Sequence, residues 1–436
     1  MRVRGARRVV RAGPRTRVSL RARCRFAVAL GCMVSLCAAP PRARASYEEF
    51  WTLDVGHQEE DDENLLDHVL VEPPLAWVDD WEQARNAFRT SQGCFTSGQW
   101  YLDHELKVRA PMGDTTYFEL GIREVSDDEA TYGWTQLDLR FPIPHAGMWG
   151  FRFRPTFNKS QQDAAVLWDH GTAFSPLQIQ AAFGIEDVFD ELWALRQARV
   201  GNDSEPYERH PFEPSLRVAW RGAGPHFDAR AHWLTPSRKR FETRDVSQRR
   251  REWLWGARGG ATVAQRFGDY LLVLRGQHVQ SSRFAQWEQV AGDHHEFARR
   301  WRTELALSRR LGQRARVTAR WYYQERTQVY RPPLGNAVFS AIDRMPGLEG
   351  EFPARWGLAV RTGYLRNRVT VSDPDHAPLS PFFTFGTRVE NRAFISIGKQ
   401  FGRVRLQGTE CIELDREIYP VAFHHDKGFI HLQTTF

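Results

Sequence analysis

The chain has 436 residues, with 60 Lys and Arg against 53 Asp and Glu and a formal net charge of +7. Twelve of the basic residues, all arginine, fall within residues 1–45, which carry no acid; the rest holds 48 basic against 53 acidic residues, near −5, so the basic balance sits at one end and gives no support to nucleic-acid binding. Cys24, Cys32 and Cys37 lie in that same stretch, leaving Cys94 and Cys411, with no CxxCH for a c-type haem and no Cys/His cluster spaced for zinc.

Residues 1–45 run from an arginine-rich opening through the apolar "FAVALGCMVSLCAA" (26–39) to Ala43-x-Ala45, the order of a cleaved secretory signal. That apolar run is shorter than the roughly 20 residues a spanning helix needs. Residues 46–98 have a different composition. "HQEEDDENLLDH" is an acidic run, and "VDDWEQARNAFR" (78–89) sets Asp79 and Asp80 ahead of Trp81, Ala84 and Phe88, which predicts a short helix with an acidic N-terminus.

From Gln99 onward the period becomes two. In "QWYLDHELKVR", Trp100, Leu102, Leu106 and Val108 share one face, while Asp103, Glu105, Lys107 and Arg109 share the other. "TYFELGIRE", "TQLDLRF" and "MWGFRFRPTF" repeat the pattern, and "AAVLWDHG" (164–171) fits it less securely. Further on come "SLRVAW", "HFDARAHW", "EWLWGARGGATVA", "YLLVLRGQHV", "RWRTELALS", "ARVTARWYY", "RWGLAVRTGY", "AFISIGKQF" and "RVRLQGTECIEL". Such a succession, with no competing helical period, predicts an all-β chain of half-buried strands. One face carries Trp149, Trp253, Trp255, Trp301, Trp321 and Trp356; the other carries most of the charge. A soluble sandwich or propeller would instead present polar outer faces.

Short Gly- or Pro-bearing turns ("RAPMGDTTY", "RFPIPHAGMW", "WRGAGPHF", "QRFGDYLL", "RRLGQRAR", "KQFGRVRL") alternate with longer polar loops at 236–250, 282–294, 327–352 and 415–426. The closing "KGFIHLQTTF" sets Ile430, Leu432, Thr434 and Phe436 on one face of a strand that ends on an aromatic. From residue 99 to 436 this pattern resembles the porin-like outer-membrane β-barrels of Gram-negative cells. The last strand resembles the C-terminal signal by which such barrels are recognised for insertion, carried here by Phe436, Thr434, Leu432 and Ile430. The resemblance implies about 16 antiparallel strands (range about 14–18) with short periplasmic turns and longer external loops. Counting 164–171 as a strand requires a further strand near the N-terminus. The expected organisation is a signal at 1–45, an acidic periplasmic segment or partial plug at 46–98 and the barrel at 99–436. Expected partners are outer-membrane lipid and the barrel-assembly machinery. A homo-oligomer follows by analogy with trimeric sixteen-stranded porins.

The charged face then points into a water-filled lumen. Its arginines are Arg152, Arg154, Arg217, Arg230, Arg302, Arg316, Arg320, Arg361, Arg388 and Arg405. Its acids include Asp103, Glu105, Glu119, Asp138, Asp228, Glu304 and Glu390. Rows of opposite charge would bias which ions pass; mutual pairing would merely keep the wall wet. The candidate loop 186–212 begins with Glu186, Asp187, Asp190 and Glu191 ahead of a short amphipathic pattern, Phe189, Leu192 and Trp193. Folded inward, it would narrow the pore.

The resulting expectation is a non-enzymatic channel, without cofactor or metal, for small hydrophilic solutes including anions. One alternative is a barrel-borne hydrolase using Asp293, His294, His295 and Glu296 with His424, His425 and Asp426 from external loops. A second is a sheath around a multihaem cytochrome. A bridge between Cys94 and Cys411 needs Cα atoms about 4.4–6.8 Å apart. With Cys94 expected low and Cys411 at mid-wall, it is expected only if the N-terminal segment turns up into the lumen.

Overall fold

The structure is a computed structural model that describes residues 84–94, 100–113, 115–127, 131–154, 162–171, 175–186, 207–221, 224–242, 249–287, 293–312, 315–331, 337–372, 386–415 and 427–436. The expected signal at 1–45 lies outside the described residues, as does the acidic segment up to residue 83.

The strands are β1 (Ala87–Cys94), β2 (Trp100–Pro111), β3 (Tyr117–Asp127), β4 (Thr131–Ile143), β5 (Gly147–Phe153), β6 (Gln162–His170) and β7 (Leu177–Glu186). After them come β8 (Tyr207–Arg209), β9 (Phe212–Trp220), β10 (His226–Glu242), β11 (Arg249–Phe267), β12 (Tyr270–Trp287) and β13 (Asp293–Leu311). The last are β14 (Ala315–Arg331), β15 (Ala337–Pro353), β16 (Leu358–Ser372), β17 (Gly386–Phe401), β18 (Val404–Glu413) and β19 (Lys427–Thr435). Apart from the short β8, each strand pairs antiparallel with the strands before and after it, β7 directly with β9, and β1 pairs with β19 to close the sheet on itself. The short β8 only prolongs β9 against β10, so the barrel has 18 strands, at the upper end of the expected range.

Three strands lack the alternating signature, each for a physical reason. β15 was expected as part of the loop 327–352; its inward Asp343 and Glu349 are acids, and its outward face is interrupted by Arg344 and Pro346. Pairing of β15 with β16 skips Met345 and Pro346, as expected where proline removes a ladder donor. β7 presents Gln180, Ala182 and Gly184 where other strands present charge. β1 carries one large apolar residue, Phe88. The barrel therefore begins at Ala87 rather than residue 99, and Ala87–Arg89 are strand, not the helix expected over 78–89. β6 is a strand as well, and β1 is the additional N-terminal strand that it requires.

Strands also run further than their apolar pattern. β10 continues to Glu242 and β12 to Trp287, while β11 starts at Arg249 and β13 at Asp293, so much of the loops expected at 236–250 and 282–294 is strand; 243–248 and 288–292 lie outside the described residues. Backbone pairing between neighbouring strands continues past the stretches where apolar and polar residues alternate. A bulge between Leu234 and Ser237 resets the inward face of β10.

Short connections gather at one end. Two are two-residue hairpins, Gly268–Asp269 and Gly402–Arg403, with Gly in the left-handed region at φ 58° and 60°. The chain closes at this same end, where the Phe436 amide donates to the Asn86 carbonyl at 3.1 Å. Aromatic residues ring it on the outward face: Trp220, Phe227, Phe267, Tyr270, Phe352, Phe401 and Phe436 are all exposed. Above them the outward positions are apolar and exposed, among them Leu274, Leu305, Leu307, Leu348, Ile395 and Ile397. No helix among the described residues is long and apolar enough to cross a membrane; the strands do the crossing. A closed ladder, an apolar outer band and an aromatic rim make this a transmembrane barrel of the outer-membrane kind.

Candidate functional site

The shielded, concave face carries the polar residues. On β13, Arg300, Arg302, Glu304 and Ser308 are buried, while Trp301, Leu305 and Leu307 between them are exposed. Strand alternation alone produces this division, because successive side chains point to opposite faces.

A continuous ion ladder crosses five strands on this inner face. Arg275 on β12 lies 3.2 Å from Glu304 on β13, and Glu304 lies 2.5 Å from Arg320 on β14. Arg320 approaches Glu349 on β15 at 3.1 Å, and Glu349 takes both Nη2 and Nε of Arg361 on β16 at 2.9 and 3.1 Å. Antiparallel register places these residues close to one level, so arginine and glutamate alternate around the wall.

The other expected wall residues fall into similar pairs. Asp138 accepts a fork from Arg152 at 3.0 and 2.9 Å and lies 3.5 Å from Arg140. Arg217 reaches Asp228 at 2.5 Å, and Arg109 donates to Glu119 at 2.9 and 2.7 Å. Arg123 forks onto Asp103 at 3.0 Å, Arg89 pairs with Glu105, and Arg316 pairs with Glu351. Arg154 and Arg302 donate to the amide oxygens of Gln136 and Gln324. Arg230 is exposed on β10, and Arg405 is half-buried on β18. The side chains of Arg388 and Glu186, and the whole of Asp187, Asp190 and Glu191, lie outside the described residues, so the loop expected to narrow the pore does too.

Part of the inner face is sealed. On β15–β17, Asp343, Asn367 and Glu390 are fully buried and Arg392 nearly so, beside buried Met345, Leu365, Val369 and Phe394. The Asn367 amide donates to Asp343 at 3.0 Å. Elsewhere the wall keeps solvent contact: the side chains of Arg152, Arg217 and Arg361 are 21%, 22% and 24% exposed.

Several members of the wall escape a reading of the sequence. Glu349 and Asp343 lie in the strand taken for a loop. Arg275 is the single charge in "YLLVLRGQHV", on the same face as Val273, and that parity was the available signal. Glu213, held by His232 at 3.1 Å and Arg258 at 3.4 Å, abuts the loop 186–212.

Asp293, His294 and His295, expected in an external loop, are paired strand residues of β13 opposite Gln286, Ala285 and Phe284. His424, His425 and Asp426 lie outside the described residues. Among the described residues no group of His, Cys, Asp and Glu is arranged to hold a metal. Among the described residues there are two Ser–His contacts, Ser91–His431 at 2.7 Å on the inner face and Ser282–His295 at 3.2 Å on the outer. In neither does an acid among the described residues hydrogen-bond the other ring nitrogen, the third member that orients a catalytic base.

Cys411 is buried on β18 as an unbridged thiol. Register carries Gly93 to Phe429 and Phe429 to Thr409, so Cys94 and Cys411 stand at nearly the same height rather than the different heights expected. With β19 between them, their backbones are about 10 Å apart, two strand spacings and beyond disulfide reach.

No protein-family model and no curated protein matches the sequence. The fold is similar to solved outer-membrane barrels. OmpT, an outer membrane protein of Vibrio cholerae in its trimer form, is 9% identical with a TM-score of 0.36, over 80% of this chain and 97% of that one. OccK5 (OpdH) of Pseudomonas aeruginosa is 11% identical at 0.37, over 81% and 97%. A mutant porin of Rh. blastica is 10% identical at 0.29, over 80% and 98%.

Proposed function

We propose that this protein is an outer-membrane channel for small hydrophilic solutes, with a weak preference among ions set by a paired inner wall. The observation that carries this reading is the polar, partly solvated concave face inside a closed ladder of 18 strands. A barrel of that strand number is wide enough for an aqueous passage. Arg152, Arg217, Arg316, Arg320 and Arg361 are held by acids, so along much of the wall solutes meet rows of ion pairs rather than a bare positive face. The ladder's three arginines and two glutamates sum to one positive charge, which biases passage modestly toward anions. The route runs along Arg152, Arg217 and Arg361 and away from the sealed patch around Asp343, Asn367 and Glu390, which favours a narrowed passage over a full-width one.

Single-channel recording of the refolded protein in planar bilayers tests this, with selectivity read from reversal potentials in a salt gradient. Stepwise openings with slight anion preference are expected. A folded, heat-modifiable barrel that never conducts would overturn the reading.

A further inference from the structure

We propose that Arg344, Arg366 and Arg368 form a site on the outer surface of the barrel for the phosphate groups of an anionic membrane lipid. All three are exposed, while their neighbours Asp343, Met345, Leu365, Asn367 and Val369 are buried on the opposite face. Arg344 and Arg368 are direct cross-strand partners between β15 and β16, and Arg366 lies two residues along β16, opposite Asn391 of β17.

Like charges directly opposed across a strand pair work against the pairing unless something sits between them. Among the described residues, no acid comes within ion-pair distance of any of the three. The contrast lies on the same face: Arg299 on β13 finds Glu325 on β14 at 3.5 Å. The acid next to the cluster, Asp415, is engaged by the Asn391 amide group at 2.8 and 2.9 Å.

Below the cluster the outward face turns apolar, with exposed Leu348 and Tyr364 on the same two strands and Ile395 and Ile397 on β17. The three guanidinium groups thus stand at the upper border of the lipid-facing band, where an arginine on this face is tolerated because its head reaches the headgroup layer. A guanidinium presents a planar fork that matches phosphate oxygens two at a time. One phosphate between Arg344 and Arg368 converts an opposed pair into a shared anion site. The apolar floor beneath gives the acyl chains of the same molecule a surface, which selects a lipid over a free ion. The proposal needs the barrel in a membrane but not an open lumen.

The test embeds the barrel in phosphatidylcholine nanodiscs doped with lipid A bearing its phosphates, or with the same lipid dephosphorylated, and counts retained lipids by native mass spectrometry. The wild type is expected to retain the phosphorylated lipid at least tenfold better than the dephosphorylated one. R344Q/R366Q/R368Q is expected to lose that preference. R309Q, an outward arginine at the short-turn end lying over Tyr270, should keep it. Equal retention of the two lipids by the wild type would overturn the proposal without reference to any variant. Undiminished preference in the triple variant would also overturn it, as would complete displacement by millimolar inorganic phosphate, the mark of an ion site. Should the triple variant fold poorly, R368Q alone is expected to weaken the preference.

Discussion

The ring of Phe429 lies over the backbone of Gly93, its direct partner across the seam where β19 meets β1. A side chain at Gly93 would run into that ring and into the carbonyl oxygen of Gly428. The aromatic thereby covers a glycine on the neighbouring strand, a device that keeps a ladder intact where a side chain is missing. Gly93→Ala is expected to cost about 1–3 kcal/mol through overpacking. The fraction of refolded protein that resists unfolding in SDS without heating should fall, and the melting temperature of that fraction should drop. An unchanged melting temperature would show that the seam has slack.

The position of β1 makes a second prediction. A chain beginning at residue 84 retains all 18 barrel strands, whereas one beginning at residue 99 loses β1 and leaves β19 and β2 without their partner. The longer chain should refold into a heat-modifiable barrel and the shorter should not, as read by the SDS gel shift. Equal refolding of the two would mean that β2 can meet β19 directly.

Glu349 carries the third. It is buried and faces both Arg320 and Arg361, so Glu349→Gln withdraws the only charge on β15 that the ladder uses. Arg320 keeps Glu304, while Arg361 loses the fork it donates. The expected loss is about 1.5–3 kcal/mol, the usual range for hydrogen bonds to charged groups. The reversal potential should move toward anions, because three arginines would then face a single glutamate. A destabilised barrel with unaltered selectivity would place the ladder off the ion path.

Glu349 also marks the limit of what the sequence reveals. Alternation exposes a strand when one face is apolar and the other charged, as in "RWRTELALS", and such stretches carry the fold class plainly. It fails in β15, where Arg344 and Pro346 break the outward apolar row. It fails again in β1, whose outward face has only Phe88 of any size. The wall arginines Arg152, Arg217, Arg320 and Arg361 follow from parity alone. Their partners depend on register between strands, and one of them, Glu349, lay in a segment that did not look like a strand. Pairing in turn decides what the charges do: ten arginines read one by one suggest a positive lumen, while five of them, Arg152, Arg217, Arg316, Arg320 and Arg361, stand beside acids that offset their charge.

Closure by β1 and β19 joins residues that lie almost a full chain length apart; Ser91 and His431, which touch across the seam, are 340 positions apart in sequence. Every other neighbouring pair in the barrel is local by comparison, so hairpins can zip in order while the two ends wait. Contacts of such long range form late and slowly. Until they form, β1 and β19 are open edges able to recruit strands from other chains. Pairing of β19 with β1 is thus the step that seals the structure, and the vulnerable interval is the time before β19 meets Ala87–Cys94.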